Sequence, residues 1–151
     1  MSYDLCIYTQ RERIPDPDRF MASLAAATPP VIIGGEFADM RHPRSGFVPV
    51  RVEEQDSGFE LYAATIDKQD IDDFQADVQG SGEEMTGGNA RYLKILTSCD
   101  TMLTLVAKDE LEAKAARAVA GVLASLSEGY LTDPQTGITT PPSNETSEQG
   151  P

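Results

Sequence analysis

Apolar residues recur at steps of three or four over one long stretch, where Leu111, Ala115, Val119, Val122, Leu123 and Leu126 predict a helix from about Asp109 to Glu128. One face of that helix must be covered. Asp109 with Glu112 three residues on reads as an N-cap with a capping box, and Asp109, Glu110 and Glu112 all lie at the positive end of the macrodipole. Gly129 is the expected stop.

The other elements follow from the same pattern. Ser2 to Thr9 alternates, with Tyr3, Leu5 and Ile7 on one side, as a strand with one buried face does. Asp16 before Pro17 caps a short helix over about 17 to 28, with Phe20, Leu24 and Ala27 as its apolar stripe. Val31 to Ile33 is a short strand, and Ala38 to Gly46 carries turn formers and reads as an exposed connection. Phe47 to Glu54 and Gly58 to Ile66 are strands joined by Gln55-Asp56-Ser57, with Pro49 implying an edge or a bulge because it cannot donate to a ladder. Ile71, Phe74 and Val78 give a short amphipathic helix over Asp67 to Gln79, followed by a glycine-rich connection from Gly80 to Asn89. Arg91 to Ser98 and Thr101 to Ala107 read as a second hairpin around Cys99-Asp100, and Tyr130 to Thr132 as a last short strand.

From Ile138 onward three prolines accompany one bulky apolar residue, the composition of a disordered tail. These elements predict an α+β fold: a single domain over 1–137, a mostly antiparallel sheet with three helices packed against it, and a tail over 138–151. A chain of 151 residues, 40% apolar, is long enough to bury a core without staples.

Charge changes the picture most. Twelve basic and 25 acidic residues leave a net charge of −13, which argues against nucleic acid as a partner because phosphate contact needs a basic stripe. Seven of the acids, Asp67, Asp70, Asp72, Asp73, Asp77, Glu83 and Glu84, fall between 67 and 90, where Lys68 is the only base. Like charges at that density repel one another, so a basic partner would relieve the 67–79 helix. Glu53, Glu54 and Asp56, at the end of the first hairpin, are the other acidic group assigned to partner contact. No apolar run approaches the roughly 18 residues of a membrane span and no leader pattern opens the chain, so the expectation is a cytoplasmic protein without membrane association.

Catalytic and metal chemistry finds no foothold. His42 is the only histidine and sits in a polar loop, which excludes a multi-histidine metal site. Cys6 and Cys99 form no CxxC and read as reduced thiols serving as small buried hydrophobes in strands, so no metal and no cofactor are expected. Gly34-Gly35-Glu36-Phe37 lacks one acidic position of the cyclic-dinucleotide synthase signature, and the glycine pairs at 80–88 lack the Lys-Ser/Thr of a phosphate loop. Asn144-Glu145-Thr146 matches a glycosylation sequon by chance. No pair of carboxylates shows the separated environments that acid and base work requires, and the chain reads as a non-enzyme.

The run from Ala118 to Gly137, AVAGVLASLSEGYLTDPQTG, with Gly129-Tyr130-Leu131-Thr132-Asp133-Pro134-Gln135 after an alanine-rich helix, resembles the end of small bacterial immunity proteins of secreted polymorphic or contact-delivered (type VI-like) toxins. The opening SYDLCIYT is similar too. The resemblance implies a protein that binds and neutralises a cognate toxin by occluding its active site or substrate cleft. The alternative is a small acidic secretion chaperone that holds an exported effector through apolar strand edges.

Overall fold

A computed structural model describes residues 3–34, 40, 41 and 44–142. In chain order the elements are β1 (Tyr3–Thr9), a 3-10 turn (Arg11–Arg13), α1 (Pro17–Ala25), β2 (Val31–Ile33), β3 (Arg44–Val52) and β4 (Gln55–Thr65). α2 (Lys68–Gly80), α3 (Gly87–Ser98), β5 (Thr101–Ala107), α4 (Glu110–Ser127), β6 (Tyr130–Asp133) and β7 (Ile138–Thr140) complete it. All seven strands form one antiparallel sheet in the order β2-β3-β4-β5-β1-β6-β7. The fold is α+β, with four helices among the described residues where the sequence suggested three.

The extra helix is α3. Arg91 to Ser98 is not a strand, because Tyr92, Ile95, Leu96 and Cys99, at helical steps, all pack into one cluster with Tyr8 and Tyr130 of the sheet. An apolar run this short fits either period, and the packing partner decides. The first hairpin also turns two residues earlier than expected. Val52 pairs with Gln55, so the loop is Glu53-Glu54, both at positive φ (52° and 65°) as a two-residue primed turn requires, and Asp56 and Ser57 lie within β4. Pro49 sits one residue past the β2 ladder, where its carbonyl accepts from the Gly34 N–H at 2.9 Å, a bond that asks for no proline N–H. β3 begins at Arg44, inside the stretch read as a connection, and β7 occupies residues assigned to the tail, pairing Ile138–Thr140 with Asp133–Leu131 of β6. Glu36, His42, residues 35–37 of the GGEF stretch and the sequon lie outside the described residues.

The main core fills the space between one face of the sheet and α1 and α4. Alternate strand residues point into it: Leu5 and Ile7 of β1, Val48 and Val50 of β3, Phe59 and Leu61 of β4, Leu103 and Leu105 of β5. α4 meets them with Ala116, Val119, Ala120 and Leu123, while Leu111, counted on that face from its spacing, is exposed at the first turn. Asp109 accepts from the Glu112 N–H at 2.8 Å as expected of the cap. The Glu112 carboxylate reaches past the cap residue to the Lys108 N–H at 3.0 Å. At the other end Glu128, not Gly129, takes the left-handed conformation. Gly129 is needed for closeness: a Cβ there would stand 2.9 Å from Ile7 Cγ2 and 3.0 Å from the Tyr8 carbonyl oxygen.

Candidate functional site

The opposite face of the sheet is only partly covered. α2 and α3 pack together at one end of it, over Tyr8, Met102 and Tyr130, and hold a second apolar cluster of Ile66, Ile71, Phe74, Tyr92, Ile95 and Leu96. The rings of Phe74 and Tyr92 meet at 4.8 Å and Tyr92 is edge-on to Tyr8 at 5.6 Å, so the two helices and the sheet are locked by three aromatic rings.

This arrangement fixes the acidic helix. Asp67 and Asp70 form a reciprocal capping box: Asp67 Oδ1 accepts from the Asp70 N–H at 3.1 Å and Asp70 Oδ2 from the Asp67 N–H at 2.9 Å. Two of the ten acidic residues assigned to partner contact therefore also start the helix. Asp73 accepts from Gln69 at 2.8 Å, and Asp72 points to solvent. Asp70, Asp73 and Asp77 share one flank. With Ala64, Ile66, Phe74, Tyr92 and Met102 they line a groove of about 310 Å³ between α2, α3 and the end of β4 and β5. The groove has an apolar floor and one carboxylate-bearing wall, a combination suited to a side chain with an apolar stem and a cationic head. Glu83 and Glu84 follow in the exposed connection to α3; Ser81 donates to Glu83 Oε2 at 3.2 Å, and Asn89 to the Glu84 carbonyl at 3.1 Å.

Glu53, Glu54 and Asp56 are elsewhere. They sit where β4 begins, and α2 starts just past its far end; the ten steps along this strand at about 3.3 Å each put roughly 33 Å between them. There Glu53 pairs with Lys114 of α4 at 3.5 Å and Asp56 with Arg51 at 3.2 Å. One compact partner contact does not span both groups as a single patch, and the flank of α2 is the part with a groove.

Between the two groups lies a surface that the charge pattern did not point to. The uncovered face of β2, β3 and β4 presents Ile32, Phe47 and Tyr62, all exposed large hydrophobic side chains. The sequence carried a trace of it, since Phe47 and Tyr62 occupy outward positions of their strands, where a solvated face has polar residues.

Burial shifts two titratable groups of β1. Burial is the main cause raising the Cys6 thiol pKa, with the nearby Asp4 carboxylate adding to it, so Cys6 is a poor nucleophile. Burial and the hydrogen bond to Tyr92 push the Tyr8 hydroxyl well above the ordinary tyrosine value. Among the described residues no group of three or more His, Cys, Asp or Glu is placed to hold a metal ion, and no helix is long and apolar enough to cross a membrane. Comparisons with protein families, curated proteins and solved structures find no match.

Proposed function

We propose that this protein is an immunity protein of the cytoplasm, a binding module that neutralises a cognate secreted toxin by setting the acidic flank of α2 against the toxin's basic cleft. The observation that carries the reading is the groove in which Asp70, Asp73 and Asp77 stand over Phe74, Tyr92 and Met102. A carboxylate wall beside an apolar floor lets a partner bury hydrophobic area while its cations find acceptors, and opposite potentials speed encounter. The resemblance of the α4–β6 region and of β1 to immunity proteins points the same way. The chaperone alternative is less favoured, because both edge strands, β2 and β7, are only three residues long and give an extended guest little to pair with.

The test is co-expression with a toxic domain found encoded next to this gene, and a neighbourhood without one counts against the reading. Cells survive with the parent protein and lose protection with Asp73→Asn/Asp77→Asn at equal soluble level. These two carboxylates are chosen because neither belongs to the capping box. Full protection by that variant, with unchanged association kinetics, would remove the flank of α2 from the interface.

A further inference from the structure

We propose that the uncovered face of the sheet, centred on Phe47 and Tyr62, is the docking surface for a protein partner whose contact patch has an apolar centre ringed by Arg and Lys. This rests on the reading above and extends it from the flank of α2 to the sheet itself. Three observations carry it.

The first is the apolar area. Phe47 and Tyr62, 54% and 41% exposed, stand diagonally to one another on adjacent strands of the same face, while Ile32, 50% exposed, lies farther along it opposite Arg51. Exposed large side chains gathered in one place mark contact sites, whereas scattered ones carry no meaning.

The second is that the aromatic side chains are held. Gly58 is the seat of Phe47: a Cβ at Gly58 would stand 2.2 Å from Phe47 Cζ, so the ring lies across the space that a side chain at 58 would fill. The Tyr62 hydroxyl donates to Glu60 Oε2 on the same strand. Aromatic anchors fixed before binding lose little rotamer freedom on docking, which is how a few residues come to dominate an interface.

The third is charge. Glu60 pairs across the strands with Phe47 on one side and Val106 on the other, and the same row ends at Asp4. Asp4 Oδ1 is buried with no donor among the described residues. Arg51, on the same face, is already paired with Asp56 at 3.2 Å. At the other end Ala64 and Met102 carry the face into the groove walled by Asp70, Asp73 and Asp77. Apolar centre and acidic surround call for the complementary pattern. A second copy fits badly, because stacking two such faces sets Glu60, Asp4 and the α2 carboxylates against their own kind in a chain of net charge −13.

The test measures binding to two probes: a toxic domain found encoded next to this gene, and a blocked peptide of arginines and paired leucines, with a control peptide in which serine replaces leucine. Phe47→Ser and Tyr62→Ser each remove an exposed ring, and Ala64→Arg adds a cation without removing a contact. Each is expected to weaken the toxic domain by about tenfold or more, with the two serine variants acting mainly on dissociation. The leucine peptide, and not the serine control, should shift the ring resonances of Phe47 and Tyr62. A toxin that binds the parent and all three variants alike overturns the docking face and leaves the immunity reading standing. A peptide that docks on Phe47 and Tyr62 while the toxic domain does not bind overturns the immunity reading and keeps the face. Failure of both probes overturns both, and a parent dimer that Phe47→Ser dissolves would give the face to a second copy.

Discussion

The hydroxyls of Tyr8 and Tyr92 are 2.9 Å apart, joining the second-to-last residue of β1 to the middle of α3 across 84 positions of sequence. Their rings cross at 89°, and Phe74 of α2 also packs edge-on against Tyr92. One polar contact thus sits inside the apolar cluster that holds the acidic groove against the sheet.

That contact has an alkaline signature. Tyr8 stays protonated in the folded chain well above its ordinary value of 10.0, first through burial and then through the bond to Tyr92. A folded pKa raised above the unfolded one means stability that is fully present below pH 10 and is lost as pH rises further, because only the unfolded chain then releases the proton. The urea midpoint should begin to fall as pH passes the ordinary thiol range, because the buried Cys6 thiol is raised too, and fall more steeply above about pH 10, the unfolded tyrosine value. Tyr8→Phe should be less stable at pH 7 and lose less on going to pH 11; an equal loss in both proteins would contradict the assignment.

Gly58→Ala should cost on the order of 1 to 3 kcal/mol, the range for forcing extra volume into a packed site. Phe47 would have to leave its seat on Gly58 to make room, and the new methyl would also stand 2.7 Å from the Val48 carbonyl oxygen, which is backbone and cannot move away. Adding Phe47→Ala should therefore recover only part of the loss. Complete recovery of the thermal midpoint would mean that the ring alone excludes a side chain at 58.

Glu53 and Glu54 hold left-handed backbone at the tip of the β3–β4 hairpin, a conformation that glutamate adopts at a cost of about 1 kcal/mol or more and that Asn-Gly adopts readily. Glu53→Asn/Glu54→Gly should raise stability by about 1 kcal/mol, after the loss of the exposed Glu53–Lys114 pair, whose worth is near zero to 1 kcal/mol. A destabilised double variant would show that the acidic tip contributes more than its strain costs.

Leu123→Ala should lose about 2 to 5 kcal/mol, since the side chain is fully buried between α4 and the sheet. Leu111→Ala, on the apolar stripe of the same helix by spacing but 40% exposed, should stay within about 1 kcal/mol. Similar losses at both sites would mean that the first turn of α4 is covered.

Spacing, caps and alternation settle what lies close in the chain. The period of 109–128, the Asp16 and Asp109 caps, the alternation of β1 and the strand of β5 are local and legible, as is the crowding of acids between 67 and 90, whereas the equally local Asp67–Asp70 capping box goes unread in the sequence. Where a residue's role depends on a distant partner, the pattern is degenerate. Arg91–Ser98 satisfies strand and helix alike until Tyr8 and Phe74 are placed against it, and Ile138–Thr140 has too little apolar area to announce itself before β6 offers a ladder. Gly129 looks like a helix stop, yet Ile7 and the Tyr8 carbonyl explain it. Charge along the chain could not say that Asp70, Asp73 and Asp77 share a groove, that Glu53 and Glu54 lie a strand's length away, or that Phe47 rests on Gly58. Composition and period travel with the chain, whereas grooves, seats and bare faces exist only once strands from both ends of it have paired.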